Sequence, residues 1–425
     1  MTLAFIVFFI LLFTGLPLYV NLGLTSFLFI FLHGFKAITA IQRIAMAANS
    51  FTLIAAPFFI IMGNLMNSSG VTKRMFNFAN VLVGHLPGGL GHANVVASVL
   101  FAGMSGTAVA DAGGLGNVEI QAMRDKGFDD DFSCAITAAS SVIGPIIPPS
   151  LPMVIIAVAA EASVGRLFIG GILPGLTMAV SLMLMVAYYA KKRNYPRNPK
   201  PTLNEVGVAF REAFLALMSP VILVAGIFSG IFTPTEAAVM AAAYSLILGV
   251  FVYHEIKLKD LPKVILSTIE TNGVVLALVM TASLFGWVLT VSQVPQKMSE
   301  FLVNFTSSRI LVLLIVNVFL LVVGMFMEAT AAILILTPIL IPVMASYGVD
   351  VTQGCLIMIL NLMIGVVTPP VGVVLYIISN IAKVKFERVV KATLPFFIPL
   401  GITLALVTFV PFFTTFLPNL FYGAA

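Results

Sequence analysis

The chain has 425 residues, of which 60% are hydrophobic and only 9% charged, with a formal net charge of +5 and a mean hydropathy of +1.11. A soluble domain carries about 25% charged residues, so this composition excludes a soluble globular fold and predicts an all-α polytopic membrane protein. The surplus positive charge is no nucleic-acid signal, because the basic residues cluster in short loops and report orientation instead.

In chain order, the apolar run over residues 3–32 would be about 45 Å long as one helix, too long for one span and short for two. Thr14-Gly15-Leu16-Pro17 divides it into two short helices. The run lacks a basic leader and a small-residue cleavage site, so it reads as a retained membrane segment. A polar stretch at 33–47 leads into an apolar segment over 48–66. Residues 71–86 carry Lys73 and Arg74 among Met75, Phe76, Phe78, Val81 and Leu82, spacing that suits a helix lying in the interface.

Residues 90–125 are apolar, then small and polar at Ser105-Gly106-Thr107, then helical again before the charged 124–131. That pattern predicts a re-entrant hairpin. Two half-helices at 132–143 and 151–160 form one span, broken at 144–150, where Gly144, Pro145, Pro148 and Pro149 cannot continue a helix comfortably. Such breaks survive in a bilayer only where protein or a water-filled cavity covers them. A plain span covers 167–190, and the loop 191–200 that follows, with five positive charges and no negative one, is cytoplasmic by the positive-inside rule.

Residues 205–214 read as a second interfacial helix, ahead of spans at 216–231 and 237–253 separated by Phe232-Thr233-Pro234-Thr235. Lys257, Lys259 and Lys263 mark another cytoplasmic loop. The long span 264–292 holds Glu270 and Asn272, which line a pathway or bond across helices. After a partly amphipathic stretch at 296–309 come a second hairpin over 310–345, a second broken span over 353–381, and a last span over 393–417.

The second half copies the first. Sliding the sequence against itself pairs Gly103-Met104 with Gly324-Met325, an offset of 324 − 103 = 221. The same offset pairs Gly127 and Asp129 with Gly348 and Asp350, Cys134 with Cys355, Ile143-Gly144 with Ile364-Gly365, and Pro148-Pro149 with Pro369-Pro370. From the start of one broken span to the start of the other lie five crossings, an odd number, so the copies are expected to be inverted. The loop charges agree, since Lys383, Lys385, Arg388 and Lys391 place the far end of the second broken span in the cytoplasm. Two cysteines at repeat-related apolar positions are small buried hydrophobes, and His33, His85, His92 and His254 have no metal-ligand spacing.

Inverted repeats with interrupted helices point to a secondary transporter whose site lies near the midplane. Where a helix unwinds, carbonyls lose their partners and become oxygen ligands, while the next half-helix aims its positive end at the same place. One Na⁺ site is therefore expected in each copy. In the first, the ligands come from Ser105, Gly106, Gly144, Ile147 and Pro149; in the second, from Gly324, Phe326, Glu328, Gly365, Thr368 and Pro370. Glu328 at the second tip ligates the ion, exchanges a proton or caps the following half-helix. Thr107, Asp111, Ser150 and Thr330 are the candidates for the substrate pathway.

At these residues the chain resembles the large membrane subunit of a tripartite ATP-independent periplasmic (TRAP) transporter, the DctM-like family. The resemblance spans essentially the whole length. It rests on the Ser-Gly-Thr tip at Ser105, on Ile143-Gly144-Pro145-Ile146-Ile147-Pro148-Pro149-Ser150, Pro174-Gly175 and Phe232-Thr233-Pro234-Thr235-Glu236. It rests also on Gly324-Met325-Phe326-Met327-Glu328 and on Gly365 with Thr368-Pro369-Pro370. It implies a Na⁺-driven, elevator-type importer of organic acids in the bacterial inner membrane, served by a periplasmic binding protein and a small four-helix membrane subunit. With no four-helix unit ahead of Met1, that subunit is expected as a separate chain. The family uses backbone oxygens at the positions of Gly144, Ile147 and Pro149, together with Ser105, as Na⁺ ligands. The overall impression favours the sialic-acid branch over the C4-dicarboxylate one.

The expected organisation is scaffold and interfacial arm at 1–86, transport domain at 87–166 and 310–391, scaffold again at 167–309, and a C-terminal helix at 392–425. The nearest competing reading is a stand-alone Na⁺/dicarboxylate symporter, whose tips would carry a Ser-Asn-Thr triplet that neither tip here has. A passive channel would show no Na⁺ dependence. An intramembrane protease is disfavoured, since Ser105 has no His or Lys at plausible depth and Asp111 meets Ala332 in the second copy.

Overall fold

The computed structural model describes residues 2–423, without the side chains of residues 2–5, 13, 52 and 105. Among the described residues every regular element is helical. Among the described residues seven helices are long and apolar enough to cross a membrane, so the chain is a multi-pass membrane protein.

The N-terminal run is two helices, Thr2–Phe13 and Leu18–Leu32. Gly15, at φ +77, makes the turn in the left-handed region that glycine enters without steric cost. The polar stretch after it forms an amphipathic helix, Ala37–Ala48, and the next segment starts as a 3₁₀ turn before the helix Ala55–Ser68. Val71–Val83 is the expected amphipathic helix, with Val71, Thr72, Met75, Phe76, Phe78 and Ala79 buried on one face.

Residues 205–214 are not a separate interfacial helix. They are the first turns of one helix, Leu203–Phe228, started by a capping box in which the Thr202 hydroxyl accepts from Glu205 N and the Glu205 carboxylate accepts from Thr202 N. No proline or paired small residues interrupt the chain before Pro220, so helix continues from surface to core. The last span also differs. It starts after Phe386–Thr393 with a 3₁₀ turn, runs as Phe397–Phe409, and stops at the extended Val410 ahead of Pro411, after which Phe412–Tyr422 is a new helix.

Both hairpins are present. In the first, Gly89–Ser105 leads to a tip at Gly106-Thr107 and a second arm made of Ala108–Gly114 and Gly116–Asp125. The arms run side by side, since the Asn94 amide donates to the Glu119 carboxylate at 2.8 Å. In the second, Arg309–Phe326 and Ala329–Ser346 meet at Met327-Glu328, and at their open end the Tyr347 hydroxyl donates to the Thr306 carbonyl at 3.0 Å.

Both discontinuous spans are present too. Asp130–Ser140 continues as a 3₁₀ turn to Ile143, unwinds, and resumes as Leu151–Ala159; Val351–Gly365 unwinds and resumes as Val373–Ala382. Pro148-Pro149 and Pro369-Pro370 are both cis. The copies interlock. Leu151–Ala159 packs on Ala329–Ser346 of the other hairpin, and Val373–Ala382 packs on Ala108–Gly114 and Asp130–Ser140. Around this unit, Val164–Arg193 lies against Gly89–Ser105 and Val351–Gly365, while Leu261–Val291 lies against Leu18–Leu32, Ala37–Ala48 and Ala55–Ser68.

Candidate functional site

The first break sits against the first tip. Gly106 takes φ +61 and ends its helix. A Cβ there would stand 3.3 Å from the Leu151 nitrogen and 3.5 Å from the Pro149 carbonyl oxygen, so the tip touches the start of the second half-helix. Ile146 N and Ile147 N both bond the Ile143 carbonyl, and Gly144 N bonds that of Ser141. No donor among the described residues is bonded to the carbonyls of Gly144, Ile147 or Pro149. Gly144 and Pro149 are buried and Ile147 is half-buried; backbone oxygens without donors are rare in such surroundings, and three in one break offer hard-oxygen groups of the kind a cation takes. The side chain of Ser105 lies outside the described residues.

Two glycines on the helix behind the break make its shape possible. A Cβ at Gly171 would stand 2.3 Å from the Ile146 oxygen, and one at Gly175 would stand 2.2 Å from Ile147 Cγ1. The unwound segment is therefore pressed into a groove that only glycine leaves open. Ser150 caps the half-helix that follows: its hydroxyl accepts from Met153 N at 3.3 Å, donates to the Pro145 carbonyl at 2.6 Å, and is fully buried. Thr107 caps the arm after the tip, accepting from Ala110 N at 3.1 Å.

In the second copy the meeting point is Gly324 against Gly365. A Cβ on Gly365 would come within 2.5 Å of the Gly324 backbone. Thr368 N bonds the Gly365 carbonyl at 2.9 Å and its hydroxyl donates to Ile364 O at 2.6 Å. Glu328 is exposed and caps Ala329–Ser346, one carboxylate oxygen accepting from Ala331 N at 3.0 Å and the other from the Thr330 hydroxyl at 2.8 Å. Among the described residues no hydrogen bond joins Glu328 to Gly365, Thr368 or Pro370. Phe326 is 62% exposed, and Pro370 is exposed as well, so this break is more open than the first.

Beside the first tip lies a cavity lined by Gly106, Thr107, Pro149 and Leu151 and, across from them, by Asn64 and Asn67 on Ala55–Ser68 and Thr271 on Leu261–Val291. Asn64 donates to Thr268 at 3.1 Å. Asp111 does not line this cavity; it is buried among helices. Glu270 is exposed and Asn272 has a buried amide oxygen without a partner.

Residues 5–413 match the family described as "Tripartite ATP-independent periplasmic transporter, DctM component". The chain belongs to this family. Among its relatives, the sialic acid TRAP transporter large permease protein SiaM of Vibrio cholerae is 44% identical, with 97% of each chain covered. The sialic acid TRAP transporter permease protein SiaT of Haemophilus influenzae is 42% identical over 98% of this chain and 68% of its own length. The C4-dicarboxylate TRAP transporter large permease protein DctM of Rhodobacter capsulatus is 39% identical over 96% of each. A solved structure, the YdaH transporter of Alcanivorax borkumensis, superposes with a TM-score of 0.66 at 15% identity, over 87% of this chain and 86% of that one. That likeness concerns the fold alone.

The chain is thus a TRAP transporter large permease. Its sequence reading overlooked Asn64, Asn67 and Thr271 at the cavity; the signal was available, since two amides three residues apart in an apolar helix are costly unless they face a polar site. One end of the permease is tied by ions. Arg193 and the Tyr195 hydroxyl both donate to the Asp129 carboxylate, at 2.8 and 2.7 Å, and Arg388 pairs with Asp131. Arg124 donates to Asp130 and to the Ala382 carbonyl. The Tyr195 hydrogen bond, with Arg193 beside it, holds the Asp129 carboxyl below its usual range.

Proposed function

We propose that this permease uses a Na⁺ gradient to import sialic acid across the bacterial inner membrane, C4-dicarboxylates being the next substrate class. It does so as the large subunit of a tripartite system with a separate small four-helix membrane subunit and a periplasmic binding protein. The observation that carries the reading is the pairing of each hairpin tip with a helix break, Gly106 with Pro149 and Leu151, and Gly324 with Gly365. The unbonded carbonyls of Gly144, Ile147 and Pro149 suit a desolvated monovalent cation, and in the second break the Gly365 carbonyl, bonded by Thr368 N, keeps a second lone pair for one. The first ion is held by oxygens of Ser105, Gly106, Gly144, Ile147 and Pro149, the second by oxygens of Gly324, Phe326, Gly365, Thr368 and Pro370. Glu328 acts there through the cap it forms.

The two copies are inverted across the bilayer and their hairpins re-entrant. Residues 87–166 and 310–391 interlock through their half-helices, which favours their moving as one body against the scaffold of 1–86 and 167–309, an elevator. The cavity offers amide and hydroxyl groups at Asn64, Asn67, Thr107 and Thr271, with no cationic side chain. Such a lining suits a polyhydroxylated acid whose carboxylate is met by the positive end of Leu151–Ala159. The higher identity to the permeases named for sialic acid points the same way.

The test is reconstitution in proteoliposomes with the small subunit, a periplasmic binding protein and labelled sialic acid. Uptake is expected only with inward Na⁺ and the binding protein, and excess succinate leaves it unchanged. Equal uptake in K⁺ would sink the Na⁺ coupling. Uptake without the binding protein would turn the reading towards a stand-alone symporter.

A further inference from the structure

One polar cluster lies outside the cavity and outside both breaks. Asp111 is 1% exposed and Glu119 fully buried, both on the second arm of the first hairpin. Among the described residues neither Asp111 oxygen nor Glu119 Oε1 has a hydrogen-bond partner in good geometry; the Ser98 hydroxyl stands beside Asp111 and that of Thr137 beside Glu119. Glu119 Oε2 accepts from Asn94 at 2.8 Å; the same amide nitrogen donates to the Thr137 hydroxyl at 2.7 Å, and the amide oxygen accepts from Ser140 at 2.7 Å. Asn94 thereby clamps the hairpin to the half-helix Asp130–Ser140.

The second copy makes the same clamp without acids. Asn361, related to Ser140 by the repeat offset (361 − 140 = 221), donates to Asn317 Oδ1 at 2.8 Å. Asn317 stands two residues beyond the position related to Asn94. At the positions related to Asp111 and Glu119 are Ala332 and Leu340. An amide clamp thus holds a hairpin arm to a broken helix by itself, and the two carboxylates of the first copy are not needed for it.

Charged groups on the surrounding elements do not neutralise them. His92, on the first arm, has an unpartnered Nδ1. On the second arm Arg124 is committed to Asp130 and the Ala382 carbonyl, and Asp125 accepts from Gln121. On Asp130–Ser140, Asp131 is paired with Arg388 and Cys134 is a buried thiol. On Val71–Val83, Lys73 is exposed, and Arg74 donates to the Gly70 carbonyl and lies over the Tyr253 ring. Tyr376 on Val373–Ala382 stacks on Phe386. An ionised carboxylate buried without a counter-charge is strongly destabilised, and taking up a proton removes most of that penalty.

We propose that the buried carboxyls of Asp111 and Glu119 bind protons and that their protonation keeps the first hairpin closed on the first broken helix. Loss of the protons leaves uncompensated negative charge on the arm beside Asp130–Ser140, which draws in water and loosens the clamp.

Infrared spectroscopy of the purified permease at neutral pH tests this, alone and as D111N/E119Q. A protonated-carboxyl C=O band that shifts on exchange into D₂O is expected in the native protein and is lost in the double variant. Because the folded chain then binds more protons than the unfolded one, thermal stability in detergent falls as pH rises, and falls less in the variant. Should the double variant not fold, the single variants D111N and E119Q each move the band. A native protein with no such band, a band untouched by the substitutions, or one that grows only when choline replaces Na⁺ would overturn the proposal, the last by placing Na⁺ there instead.

Discussion

Gly365 lies on Gly324 backbone to backbone: a Cβ on Gly365 would stand 2.5 Å from the Gly324 carbonyl carbon and 2.8 Å from its oxygen. Nothing flexible lines that contact, so G365A must part the hairpin from the broken helix. The overpacking costs roughly 1–3 kcal/mol and displaces the second set of oxygens. The expected result is folded protein with weakened Na⁺ activation of uptake, read as a raised half-saturating Na⁺ concentration. Native Na⁺ dependence in G365A would separate this contact from ion binding.

The first break makes a matched prediction. G175A places a methyl where Ile147 now sits, and the far end of a side chain can be trimmed. I147A in the same chain is expected to restore much of what G175A loses, and a double-mutant cycle on thermal stability measures the coupling, about 0.5–3 kcal/mol for touching residues. G171A meets the Ile146 carbonyl instead, and no side-chain truncation is expected to rescue it.

Glu328 separates capping from ligation. As an N-cap it is replaceable by Asp or Asn, while E328A loses about 0.5–2 kcal/mol. E328N is therefore expected to keep its Na⁺ dependence and most of its stability. Loss of Na⁺ activation in E328N with an intact fold would make the carboxylate itself an ion ligand.

The Asp129 carboxyl predicts an acid effect. Its value is depressed in the folded chain by Tyr195 and then Arg193. The stabilisation is therefore present above the carboxyl's unfolded value and is lost as pH falls through the folded one. Melting curves in detergent between neutral and acidic pH are expected to converge for the native protein and Y195F at the acid end. Parallel curves throughout would show that this hydrogen bond does not couple to folding.

Much of this architecture was legible in the sequence because its signals are local. Gly, Pro and short polar triplets interrupt apolar runs wherever the chain turns or unwinds, and the repeat offset pairs both breaks. What was not legible depends on partners far along the chain. The groove behind the break needs Gly171 opposite Ile146, and the cavity needs Asn64 and Asn67 opposite Thr107. The helix Leu203–Phe228 was divided because its charged start looked like surface, although the capping box and an uninterrupted helical stretch carry it on into a span. The stop at Val410 was missed because Pro411 is a weak signal inside an otherwise apolar run.

The exchange of half-helices also bears on how the permease is made. When residue 159 leaves the ribosome, Leu151–Ala159 lacks the hairpin of the other copy, because Ala329–Ser346 is still to be translated. The early half must wait in the bilayer with that half-helix incompletely covered until the late half packs on it. Two fragments cut in the basic loop 191–200 and expressed together are therefore expected to rescue one another, whereas the early fragment alone becomes prey for membrane proteases.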